Sequence, residues 1–167
     1  MTRNASIKRT LAVILIFAVI TPIVMLFISR FTLSLPSAES QCLETTMFIV
    51  DKWDKNVQQG DLVAFKFEKD DPYFDKGLSF IKLVAAKAGD TVDVTPQKLL
   101  VNNTEFNIAG MTHVINFLEL NPNEYITQST LNENELYVVG ETIYSYDSRF
   151  WGAIDQSNII GKAYAIF

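Results

Sequence analysis

The apolar run Phe80-Ile81-Lys82-Leu83-Val84-Ala85-Ala86 carries one cation near its centre, Lys82. An ammonium group there must reach water or give up its proton, because burial disfavours the charged form of lysine. An uncharged amine is a base. It can take the proton of a serine hydroxyl and so activate it for attack on a carbonyl. Ser–Lys pairs are a known substitute for the Ser–His–Asp arrangement. With a single histidine, His113, the chain gives little support to a histidine triad or a His-rich metal site, and no metal or cofactor is expected. The alternative for Lys82 is a solvated lysine on the polar side of an edge strand. Lys87, beside the Ala88-Gly89-Asp90 turn, reads as such a solvated residue.

Two further stretches hold candidate partners. Ser34 sits in Thr32-Leu33-Ser34-Leu35-Pro36, where the proline biases Leu35 away from helix. Ser37 and Ser40 lie close behind, so position alone does not choose among these hydroxyls. The other stretch is Ser145-Tyr146-Asp147-Ser148-Arg149-Phe150-Trp151-Gly152. Read as extended chain, its period-two residues Ser145, Asp147 and Arg149 share one face, where carboxylate and guanidinium can pair bidentately. The neighbours Tyr146, Phe150 and Trp151 point to a partly buried pair rather than a surface ion pair of small energetic worth.

These residues need positioning elements, and the first is plain. From Leu11 to Ile28 no residue is charged, about the length needed to cross a hydrocarbon core ~30 Å thick. Thr21 and Pro22 fall inside the run and are tolerated in membrane helices. Arg3, Lys8 and Arg9 precede it and Arg30 follows. The positive-inside bias then predicts a cytoplasmic N-terminus (1–10), a single-pass transmembrane anchor (11–29) and a body (30–167) on the far side of the membrane, which for a bacterial inner membrane is the periplasm. The apolar run exceeds the usual h-region of a cleaved signal peptide, so retention of the anchor is expected. It also accounts for a mean hydropathy of +0.15. All nineteen acids lie beyond Arg30. So acidic a body argues against nucleic-acid binding. One cysteine, Cys42, excludes an internal disulfide and reads as a half-buried apolar residue.

Beyond the anchor the pattern is β. Residues 46–53, 61–67, 79–86, 90–94, 98–102, 135–141 and 162–167 are short, rich in β-branched and aromatic residues, and bounded by turn signals. Leu99-Leu100-Val101-Asn102-Asn103-Thr104-Glu105-Phe106 reads as a hairpin over an Asn-Asn turn. Residues 107–134, polar and Asn-rich, read as a loop. The fold class is mostly β: a curled antiparallel sheet or partly open barrel behind one N-terminal membrane helix.

Taken in order, these stretches resemble the type I signal peptidases: an anchor, a serine, Gly60-Asp61-Leu62-Val63-Ala64-Phe65, a lysine strand ending in Gly89-Asp90, and the closing Ser145–Gly152 box. Lys82 falls at the family's base position. The Ser34-Leu35-Pro36 spacing is similar to that of TraF-like peptidases, which mature conjugative pilins. The chain departs from the general family in lacking its Asp-Asn-Arg after Gly140 and the proline of its lysine box.

The resemblance implies that Ser34 is the nucleophile and Lys82 the general base and then acid. It implies that Ser145 orients the amine while Asp147 and Arg149 brace that segment, and that the Ser34 N–H and the Thr32 hydroxyl receive the oxyanion. The implied substrate is a membrane-bound preprotein or prepilin, cut between small residues, with the lipid bilayer and a conjugative transfer apparatus as partners. The acyl-enzyme is open to water, giving cleavage, or to a peptide amine, giving a cyclic pilin. The alternatives are a general type I signal peptidase and an inactive membrane-anchored scaffold of a transfer or secretion apparatus.

Overall fold

The computed structural model describes residues 2–35 and 42–166, with residues 2–10 described by backbone alone. Helix α1 (Thr2–Arg30) runs unbroken through Pro22. Its apolar side chains from Leu11 onward are exposed, and the stretch Leu11–Arg30 is long and apolar enough to cross a membrane. The side chains of Arg3, Lys8 and Arg9 lie outside the described residues, as do Pro36, Ser37 and Ser40.

The body is antiparallel throughout. After α1 come β1 (Phe31–Ser34), β2 (Phe48–Asp51), β3 (Leu62–Lys66), β4 (Ser79–Lys87), β5 (Thr91–Val94), β6 (Leu99–Val101) and β7 (Thr104–Phe106). There follow α2 (Thr112–Phe117), β8 (Thr127–Thr130), β9 (Glu135–Val139), α3 (Ser148–Trp151), β10 (Ile154–Asp155) and β11 (Ile159–Ala165). A seven-stranded sheet has the order β1-β2-β11-β3-β4-β9-β10, and a four-stranded sheet the order β7-β6-β5-β8. The larger sheet curls. Residues of β1 and β4 line the same clefts although β2, β11 and β3 lie between them in the strand order.

Three apolar clusters hold the body. Phe65, Phe67, Val84 and Val138 centre one on the larger sheet, with Phe80 and Trp151 packed against it. A second, around Val92, Leu99, Met111 and Tyr137, seats α2 on the smaller sheet. The third is small, Val50, Ala64 and Ala163, inside the curl. The expected hairpin is present: Asn102 and Asn103 both take positive φ, 50° and 65°, as a two-residue turn between right-twisted strands requires.

Two expectations need correction. Residues 107–134 are not one loop: they contain α2, a 3-10 turn at Pro122–Tyr125, and β8 paired along its length with β5. Nor is 145–152 extended. Asp147 caps a single helical turn, accepting from the Arg149 N–H at 3.2 Å, and Gly152 ends it at φ 81°. A carboxylate at an N-cap satisfies a donor that the first turn leaves free, and glycine tolerates the left-handed exit.

Candidate active site

Lys82 lies on β4, an interior strand, opposite Val63 of β3. It shares its face of the strand with Phe80 and Val84 and is 2% exposed, so the solvated edge-strand alternative does not hold. The amine donates to Ser145 Oγ at 3.0 Å and to the Tyr146 carbonyl at 3.2 Å. Lys87, by contrast, is exposed and reaches Gln58 Oε1 at 2.8 Å.

Behind Ser145 stands a buried ion pair. The Ser145 hydroxyl donates to Asp147 Oδ2 at 2.7 Å. Arg149 grips Asp147 bidentately, Nε to Oδ1 at 2.8 Å and Nη2 to Oδ2 at 2.6 Å, and Nη1 reaches the Ala109 carbonyl at 2.5 Å. The Gly140 N–H adds a bond to Oδ2 at 2.9 Å. Burial alone would raise the Asp147 carboxyl. The charge and hydrogen bonds of Arg149, with smaller help from Lys82 and Ser145, hold it below its ordinary value. Among the described residues no buried side-chain nitrogen or oxygen lacks a partner.

Ser34 ends β1, opposite Phe48. It lines a cleft of about 480 Å³ together with Lys82, Phe74, Phe80, Ile81 and Tyr146. Thr32, two residues earlier, joins Ser34 on an adjoining cleft of about 160 Å³. Among the described residues no hydrogen bond links Ser34 to the Lys82 amine. Catalytic hydrogen bonds are often long in ligand-free sites and tighten with substrate. Cys42, half-buried, also lines the larger cleft.

Some contributors escaped the sequence reading. The Tyr146 carbonyl is a second acceptor for the amine, and its phenol donates to Asp71 Oδ2 at 2.9 Å. Asp71 in turn caps the Tyr73 and Phe74 N–H groups, fixing the β3–β4 loop that carries Phe74 into the cleft wall. At Gly140 a Cβ would overlap Ser145 Oγ and the Cys42 carbonyl. A conspicuous Gly after an apolar strand was the available signal of such close approach.

A hydroxyl at a strand end and a buried amine on one cleft is an arrangement suited to lysine-assisted acyl transfer. The model of a family described as signal peptidase, peptidase S26, matches residues 6–167, and the chain belongs to that family. A curated relative, "Signal peptidase I" of Leptolyngbya laminosa, is 29% identical over 115 residues, covering 66% of this chain and 52% of the relative. The chain thus spans about half the length of that relative. A solved signal peptidase I from Enterococcus faecalis V583 aligns with TM-score 0.44 and 21% identity, over 65% of this chain and 97% of that one.

Proposed function

We propose that this chain is a membrane-anchored serine endopeptidase that removes a leader segment from an exported preprotein. The observation that carries this reading is the Lys82 amine, buried between Ser145 Oγ and the Tyr146 carbonyl on the cleft that Ser34 lines. Family membership supports the same reaction class.

In this mechanism Lys82, uncharged, takes the proton of Ser34 as Oγ attacks the scissile carbonyl. The Ser34 N–H and the Thr32 hydroxyl receive the developing oxyanion, and each such donor contributes on the order of 10²–10³ in rate. The protonated amine then gives its proton to the departing peptide nitrogen, leaving Ser34 acylated. Water, deprotonated by the same amine, releases the acyl group and restores the serine. Ser145 and the Tyr146 carbonyl keep the amine aimed, and the Asp147–Arg149 pair keeps Ser145 in place. Helix α1 spans the inner membrane with the body on the periplasmic side, holding enzyme and membrane-held substrate in one plane.

For the substrate, exported preproteins at large fit at least as well as a conjugative prepilin. The general reading draws on the family and on the relative from Leptolyngbya laminosa. The prepilin reading draws on the Ser34-Leu35-Pro36 spacing. Co-expression of the full chain with a preprotein tests the chemistry: Ser34→Ala and Lys82→Ala each abolish maturation. Normal maturation in both variants returns the chain to a scaffold role. Mass spectrometry of the mature product separates hydrolysis from cyclisation.

A further inference from the structure

Helix α1 meets the body without a linker: the helix ends at Arg30 and β1 begins at Phe31. The junction is held on several sides. Arg30 Nε lies 3.0 Å from both oxygens of Asp51, and Nη2 lies 2.6 Å from Oδ2. Asp51 is 4% exposed, although it sits at the end of β2. Its Oδ1 also accepts from the Trp53 N–H at 3.0 Å. The guanidinium carbon of Arg30 stands 4.9 Å from the ring centre of Phe31 and 5.5 Å from that of Trp53. Lys52 closes the helix end. Its backbone N–H donates to the Arg30 carbonyl at 2.8 Å, and its ammonium donates to the Ile28 carbonyl at 3.1 Å. Both are carbonyls that a helix end leaves without internal partners.

Such a junction fixes more than a distance. A bidentate guanidinium–carboxylate pair also sets an angle. Arg30 is absent from the lining of either cleft, so the pair has no part in the chemistry itself. Ser34, however, is only four residues beyond Arg30 along an extended strand, about 13 Å at ~3.3 Å per residue. A helix seated in a bilayer and rigidly joined to this strand carries Ser34 at a constant height.

We propose that the Arg30–Asp51 clamp is a positioning device that sets the height of Ser34 above the bilayer. It thereby selects which bond of a membrane-held substrate is cut, counted from the substrate's own apolar segment. This inference rests on the anchored-peptidase reading given above. The Asp51 carboxyl is held below its ordinary range by the Arg30 hydrogen bonds, against the opposing effect of burial, so the clamp is charged at neutral pH.

The test uses the full chain in phospholipid vesicles and two designed probes. One is a polypeptide with a single apolar span of about twenty residues, followed by an alanine-rich spacer, in the same vesicles. The other is the spacer alone, in solution. Arg30→Ala spreads the cut on the spanning probe over neighbouring bonds and slows it by about tenfold or more, as misplacement of a reacting group does. The soluble spacer is cut by this variant at the wild-type rate and position. The charge-swapped pair Arg30→Asp with Asp51→Arg restores a single cut. An unchanged single cut in Arg30→Ala overturns the proposal. Equal losses on both probes without rescue by the swap also overturn it, since the clamp would then serve folding alone. A wild-type chain that cuts neither probe removes the peptidase reading, and the clamp's role with it.

Discussion

The Lys82 amine and the Asp147 carboxylate do not meet: the Ser145 hydroxyl stands between them, 3.0 Å from Nζ and 2.7 Å from Oδ2. The direction of these bonds follows from chemistry. An ionised carboxylate can only accept, so the Ser145 proton goes to Asp147 and its Oγ turns a lone pair to Lys82. The negative charge of Asp147 is already taken by the two-pronged grip of Arg149. The amine is therefore held by uncharged groups, a hydroxyl and the Tyr146 carbonyl, at an almost fully buried position. Two acceptors so placed fix the direction of the amine.

Ser145→Ala removes the aiming acceptor while leaving Ser34 and Lys82 in place. A lost partner for a buried group costs ~1–3 kcal/mol, so kcat falls by roughly tenfold to a hundredfold with KM little changed. Steady-state kinetics on a cleavable preprotein check this, with circular dichroism to show the fold intact. Wild-type kcat in this variant would remove Ser145 from the mechanism.

Gly140→Ala reaches the same amine by another route. The added Cβ overlaps Ser145 Oγ and the Cys42 carbonyl, one of them backbone that cannot swing aside. The substitution lowers stability by about 1–3 kcal/mol, as overpacking does, and lowers kcat in parallel with Ser145→Ala. Because both act on one hydroxyl, the double variant is no slower than the worse single one. Additive losses in that double-mutant cycle would separate the two effects.

The body of the larger sheet was legible because its strands are apolar on at least one face, and burial of that face is what the pattern records. β8 was not. Its residues Thr127–Thr130 are all exposed and polar, and the strand is defined by backbone pairing with β5 alone, which leaves no mark on side-chain periodicity. The Asp147–Arg149 pairing was read correctly from a wrong geometry. Spacing of two suits an extended face, yet an N-capping Asp and the Gly152 exit were also present in the sequence and describe the turn that forms. Lys82 was visible as an anomaly in an apolar run. Its Tyr146 carbonyl partner was not, since any residue supplies a carbonyl.

Acid should unfold the protein through Asp147. Its carboxyl is lowered in the folded state, against burial, mainly by Arg149. A lowered carboxyl contributes stability that is present above the unfolded value near 3.9 and is lost as pH falls through the folded value. Urea unfolding midpoints measured from pH 6 downward are expected to decline below about pH 4 in wild type, by the same relation. Asp147→Asn is less stable at neutral pH, because Arg149 loses its counter-charge, and its midpoint changes less with acid. An equally steep acid limb in both would place the titrating group elsewhere.

At the alkaline end Tyr146 is one of the raised phenols. Its phenol is pushed well above the ordinary value, first by burial and then by the hydrogen bond to Asp71. Tyr137 is raised too, by burial and by the charge of Asp147. A raised phenol contributes stability that is complete below the unfolded value of about 10 and is lost as pH rises beyond it. Thermal midpoints of wild type therefore fall above about pH 10, and Tyr146→Phe makes that fall shallower. The same variant releases Asp71, and with it the β3–β4 loop, from Tyr146 while keeping the carbonyl that holds Lys82, so KM for a preprotein rises more than kcat drops. If kcat collapsed with KM unchanged, the phenol would be acting on the amine and not on the cleft wall that Phe74 forms.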